Sequence, residues 1–186
     1  GTMAHEWIMG VSALESLRYA NRFALNGWNK VYKGSLGIAL TDTYGTDAFF
    51  EDFDLELASL FAGVRHDSAD PFEFTDKVVA HYKKLRIPTE GKTIVFSDGL
   101  DCELSVKLQE YCNRLNIRCS FGIGTHLTND HPGSQALNIV LKLRRVRRNI
   151  NSQEIQDVKL SDVLGKATGN TDALRVAMWM FRNQAL

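Results

Sequence analysis

AGVRHDSADPFEF, residues 62–74, joins a short apolar run to a segment with every mark of a helix start. Ala62–His66 has the length and apolar character of a short buried strand, and it ends abruptly in Asp67-Ser68-Ala69. Asp70 is then placed to cap a helix. Pro71 fits the first helical position, where its missing N–H costs nothing, and Glu73 completes a capping-box-like pair. The predicted helix runs through Val78, Val79 and Tyr82 to Lys83-Lys84, whose charges suit the negative end of the helix dipole. A buried strand that hands over to a capped helix within a few residues is the repeating unit of a parallel sheet.

The same grammar recurs on either side. LGIAL (36–40), KTIVF (92–96) and IRCSF (117–121) read as strands, ending in Thr41-Asp42-Thr43, Ser97-Asp98-Gly99 and Gly122-Ile123-Gly124-Thr125. Leu104, Leu108, Tyr111 and Leu115 keep helical spacing after the third strand. Trp7, Ile8, Val11, Leu14 and then Ala20 and Phe23 predict a helix that starts near His5. GTDAFFEDFDLELASLF (45–61) reads as one or two short helices with Thr46 or Asp47 as cap. ALNIVLKLRRV (136–146) and a segment ending KLSD predict a hairpin around Asn149–Ser152. Asn170 or Thr171 caps a last amphipathic helix carrying Leu174, Met178 and Phe181. The expectation is one α/β domain over residues 1–186, with its chemistry at the C-terminal ends of the strands.

Composition narrows the function classes. The 186 residues are 44% hydrophobic, enough for a real core. Twenty-two basic and 22 acidic side chains cancel, so no global field favours nucleic acid or an anionic membrane. Apolar runs such as TIVF and LNIVL are far too short to span a bilayer. Cys102, Cys112 and Cys119 lack CxxC spacing and read as reduced cytosolic thiols used in packing, which implies a cytoplasmic protein.

Candidate chemistry lies at the strand ends. Asp42, Asp67 and Asp98 each follow a strand by one or two residues. Each alone can be a turn or a helix cap. Together they make a pocket for ribose hydroxyls or for Mg²⁺, and their spacing does not choose between the two. Gly122 and Gly124 free backbone N–H groups and Thr125 adds a hydroxyl, a set that suits phosphate, although tight turns use the same residues. Arg65 can clamp an anion or simply pair with a neighbouring acid. His5, at the start of its helix, can be a general base, a metal ligand, a phosphoryl acceptor or an inert terminal residue. Arg144, Arg145, Arg147 and Arg148 lack aromatic interleaving and read as a solvated hairpin end.

Several longer stretches resemble a known family. GTMAHEW, LGIALTDTYGTDAFF, GVRHDSADPFEF, IVFSDGLD and SFGIGTHLTNDHPGSQALNIVLKL, in this order, are similar to the C-terminal half of the nicotinate phosphoribosyltransferase family, over residues 1 to about 168. The resemblance implies a type II phosphoribosyltransferase fold, an irregular (β/α) barrel joined to an N-terminal αβ domain that lies outside these residues. It implies that nicotinate and phosphoribosyl pyrophosphate give nicotinate mononucleotide and pyrophosphate, coupled to ATP hydrolysis, with Mg²⁺, in a homodimer. By that resemblance His5 accepts phosphate from ATP, and Arg65 lies over the pyridine ring. Asp42, Asp67, Ser68, Ser97, Asp98 and Gly99 surround the ribose and its phosphates, while Gly122, Gly124 and Thr125 hold the 5′-phosphate. It further implies that residues 1–186 alone turn over little. A non-catalytic phosphosugar-binding module and the nicotinamide-specific relative are the competing expectations.

The chain departs from the family in two loops. Ala69 stands where the family has Gly in DSGDP, so a positive φ there would cost about 1 kcal/mol or more. Ser161-Asp162-Val163-Leu164-Gly165-Lys166 replaces SDSPGK.

Overall fold

A computed structural model describes residues 2–182 except 130 and 138. Two helices come first, α1 (His5–Leu14) and α2 (Ala20–Tyr32), followed by β1 (Ile38–Leu40), α3 (Thr46–Asp52) and α4 (Leu55–Leu60). Then strand and helix alternate as expected: β2 (Gly63–His66), α5 (Pro71–Lys84), β3 (Thr93–Phe96), α6 (Cys102–Arg114), β4 (Arg118–Phe121) and the short α7 (Thr125–Thr128). The remainder holds β5 (Arg145–Val146), β6 (Ile155–Gln156), β7 (Val158–Lys159), a 3₁₀ turn (Leu164–Lys166), β8 (Thr168–Gly169) and α8 (Thr171–Arg182). Among the described residues no helix is long and apolar enough to cross a membrane.

The four main strands form one parallel sheet in the order β1-β2-β3-β4. Leu40 pairs with Arg65, His66 with Phe96, and Phe96 with Phe121, so the strands stop nearly level. That register brings all four polar strand ends to one edge of the sheet. Gly63 is required by the closeness of its neighbour, because a Cβ there would lie 1.9 Å from the Thr93 carbonyl oxygen. Helices cover the sheet, and Ile8, Leu40, Tyr44, Phe49, Phe53, Val64, Ile94 and Phe96 fill the core. Lys92 donates its ammonium to the carbonyls of Ser59 and Phe61, closing the loop beneath β3. The sheet is open, with β1 and β4 as its edges among the described residues, so the expected barrel closure is not seen in them.

The local signals at α5 hold in detail. Asp70 Oδ1 accepts from the N–H groups of Phe72 and Glu73, both at 2.9 Å, with Pro71 opening the helix. Asn170 Oδ1 caps α8 through Asp172 N at 2.9 Å. Elsewhere the structure corrects the sequence reading. The N-terminal apolar period is split between α1 and α2 by a break over residues 15–19. Neither Thr46 nor Asp47 caps α3. Gly45 occupies that position without a side chain to offer, and Asp162, 116 residues away, accepts from Thr46 N at 2.7 Å instead.

The predicted hairpin shrinks to β5 paired antiparallel with β6 across a turn at Asn149–Ser152. Residues 136, 137 and 139–143 make no strand, and Asn138 lies outside the described residues. The KLSD segment leaves the hairpin altogether and pairs as β7 with β8. The arginine cluster is solvated as expected, with Arg145 and Arg147 holding Glu154 at 2.7 and 2.6 Å. All three cysteines are free, and burial pushes the Cys112 thiol up to about 12, which suits packing rather than chemistry.

Candidate active site

His5 opens α1 and is buried, although it stands so near the first residue. Its ring is held from both sides. Nε2 lies 3.0 Å from Asp67 Oδ2 and 3.4 Å from Asp42 Oδ1, and Nδ1 lies 3.1 Å from Thr43 Oγ1. Asp67 follows β2 directly, while Asp42 and Thr43 follow β1, so the level strand ends deliver three partners to one imidazole.

Arg65 approaches from the same strand as Asp67. Its Nη2 donates to Asp67 Oδ1 at 2.8 Å and its Nε to Ser97 Oγ at 2.8 Å. Ser97 Oγ in turn lies 2.8 Å from the His66 carbonyl and 2.7 Å from Asp67 Oδ1, two acceptors for its one proton. Burial by itself would push the Asp67 carboxyl up. Hydrogen bonds from His5 and Arg65, the Arg65 charge and Ser97 outweigh it and hold Asp67 well below the usual carboxylate range. Asp67 is therefore an anion at any physiological pH.

Asp42 is enclosed more fully, with its side chain 1% exposed. Its Oδ2 accepts from Ser68 Oγ at 2.9 Å and Ser161 Oγ at 3.1 Å, and lies 3.3 Å from the Lys159 ammonium. Ser68, expected among the substrate contacts, thus backs Asp42 from a buried position. Asp98 does not join this group: it is exposed and paired with Lys166 at 2.8 Å. Ser97, Gly99, Gly122, Gly124 and Thr125 line a separate cleft at the same sheet edge, together with His126 and Asn129. Gly99 takes φ +62° at its turn, whereas Gly122 and Gly124 do not need positive φ. His66 is a core histidine. Burial pushes its imidazole down, its ring packs on Phe74 and Phe96, and Nε2–H donates to the Ala69 carbonyl.

Four residues of this arrangement had no role from the sequence: Thr43, Lys159, Ser161 and Asp162. Alternation in VKLS was the available signal, but alternation predicts a polar face turned to water. Here both faces of Val158–Ser161 are buried, and the polar one is turned onto Asp42.

His5, Asp42 and Asp67 place one ligand atom each within 4.8 Å of one another, a spacing a metal ion can accept. The donor set does not suit a resident Mg²⁺. That hard cation takes oxygen ligands and keeps several waters. Here one donor is an imidazole nitrogen, and each carboxylate already faces a cation, Lys159 or Arg65.

Fold and site together define an α/β protein with a buried histidine set between two carboxylates at the carboxyl edge of a parallel sheet and a glycine-lined cleft beside it. The model for the nicotinate phosphoribosyltransferase (NAPRTase) family matches residues 1–185, and the chain belongs to that family. A nicotinate phosphoribosyltransferase of Methanosarcina acetivorans is 53% identical over 189 residues, covering 100% of this chain and 45% of that protein. One from Acinetobacter baylyi is 49% identical over 173 residues, covering 92% of this chain and 40% of its own length. The crystal structure of nicotinate phosphoribosyltransferase from Porphyromonas gingivalis superposes with a TM-score of 0.92 at 44% identity, over 96% of this chain and 46% of that one. The Vibrio cholerae structure gives 0.88 at 39%, over 97% and 43%. The chain spans less than half the length of these relatives.

Proposed function

We propose that this chain carries the reaction centre of a nicotinate phosphoribosyltransferase that joins nicotinate to phosphoribosyl pyrophosphate and is driven by ATP through a phosphohistidine at His5. The observation that carries the reading is the buried imidazole set between Asp42, Asp67 and Thr43 at the sheet edge. In the phosphorylation step an imidazole nitrogen forms a bond to the γ-phosphorus of ATP as the bond to the bridging oxygen breaks, releasing ADP. Water later cleaves the N–P bond and releases phosphate. In the transfer step the C1–oxygen bond to pyrophosphate breaks and a C1–nitrogen bond to the pyridine forms, through a ribosyl centre with oxocarbenium character.

Within this reading each side chain acts electrostatically. Asp67 is fixed as an anion by Arg65 and His5, so it can hold ribose hydroxyls and stabilise the cationic sugar. Arg65 is oriented by Ser97 and Asp67 and presents its remaining N–H groups to the pyridine or its carboxylate. Gly122, Gly124 and Thr125 offer backbone and hydroxyl donors to a 5′-phosphate in the adjoining cleft. Mg²⁺ belongs to the proposal as a companion of the diphosphate rather than as a resident ion. A homodimer and a cytoplasmic location go with the same reading.

ATP labelled in its γ-phosphate tests it. The protein should take up acid-labile label, His5→Ala should lose it, and nicotinate should compete better than nicotinamide for turnover. Full labelling of the His5→Ala variant would remove His5 from the mechanism.

A further inference from the structure

We propose that Lys159 is a positioning residue for the reactive imidazole: by neutralising Asp42 it keeps His5 uncharged, with the lone pair that a phosphoryl acceptor requires. The inference rests on the reading of His5 just given. Its ground is the placement of a lysine no motif pointed to.

Lys159 lies in β7, far along the chain from the sheet, and its side chain is 5% exposed. The backbone brings it there. Leu160 N donates to the Thr43 carbonyl at 2.8 Å, which ties the end of β7 alongside Thr41–Thr43. Arg182 in α8 donates to the Ser161 carbonyl at 2.9 Å and holds the segment from its other side. The Lys159 ammonium then lies 3.3 Å from Asp42 Oδ2. Among the described residues Asp42 Oδ1 has no hydrogen-bond partner, and His5 Nε2 lies 3.4 Å from it.

Charge around His5 is therefore balanced in pairs. Asp67 faces Arg65 and Asp42 faces Lys159, two anions against two cations. Glu6, next in sequence, is paired with Lys142 at 3.3 Å. Asp157 lies near Glu6 and Tyr44. Removing the lysine leaves one buried carboxylate uncompensated beside Nε2, and protonating His5 is the nearest remedy. An imidazolium has no lone pair to attack phosphorus. Lys159 touches no reacting atom, so its effect passes through His5.

Nitrogen NMR of the His5 ring at pH 8 tests this without requiring turnover. The protein should show one pyrrole-type and one pyridine-type nitrogen, and Lys159→Met should shift both to the imidazolium position. Lys159→Arg should keep the neutral pattern, and the double variant Lys159→Met/Asp42→Asn should restore it. An imidazolium in the unaltered protein, or a neutral ring in Lys159→Met, would overturn the inference. If Lys159→Met fails to fold, the unaltered protein and the double variant still decide. In an active enzyme Lys159→Met should lower kcat about 100-fold while KM for nicotinate changes little. Absence of any nicotinate-dependent turnover would sink the functional reading, and the NMR result would stand separately.

Discussion

Ala69 shows how much one missing hydrogen atom matters. Its φ is +69°, in the left-handed region where a Cβ crowds the following carbonyl. The conformation is imposed by its surroundings: His66 donates to the Ala69 carbonyl at 3.1 Å, and Asp70 must cap α5 one residue later. Ala69→Gly should relieve this strain, partly offset by the greater freedom of glycine in the unfolded chain. The expected net gain is about 0.5–1 kcal/mol in urea unfolding. A loss of stability would show that the loop tolerates Ala without strain. The positive φ was foreseeable only because the motif resembles one that carries glycine; alanine by itself signals nothing of the kind.

Helix starts show what an element borrows from afar. α5 is capped from within by Asp70, and the cap was legible because the residues that make it are adjacent. α3 begins at Gly45 and takes its cap from Asp162, which also binds Thr46 Oγ1 at 2.6 Å and lies 3.4 Å from Ser68 Oγ. Asp162→Ala should cost about 1–2 kcal/mol, near the upper end for a lost cap, whereas Asp162→Asn should retain most of it. Thermal unfolding of the two variants distinguishes them, and equal loss in both would point to the carboxylate charge rather than the cap. Because Ser68 also serves Asp42, loosening this cap should reach the His5 cluster.

For the whole molecule, pH acts through two acids whose pKa values shift in opposite directions, half-buried Asp67 and buried Asp157. Asp67 has a depressed folded pKa, so its contribution is present above the ordinary carboxylate range and is lost as pH falls below about 4. Asp67→Asn should flatten that acid limb. Asp157 is 1% exposed, its Oδ2 has no partner among the described residues, and burial pushes its carboxyl up to about 6. A raised folded pKa means that stability is fully present below the unfolded value near 3.8 and is lost as pH rises through about 6. Asp157→Asn should therefore raise the melting temperature at pH 8 and leave it nearly unchanged at pH 4. The gain is at most about 3 kcal/mol, reduced by solvent screening. An equal shift at both pH values would show that the charge of Asp157 is not the cause.

Local patterns along the chain specify the alternation of short strands and capped helices, and with it the parallel sheet and the gathering of Asp42, Asp67, Ser97 and Gly122 at one edge. Those features follow from periodicity, caps and turns, which act over a few residues. Only the packed chain shows that Asp98 turns to Lys166, that Ser68 donates to Asp42, and that residues 137 and 139–141 form no strand. It alone brought Lys159, Ser161 and Asp162 to residues more than ninety positions earlier. A buried charge must find its counter-charge wherever the folded chain supplies one, and no local pattern records where that will be.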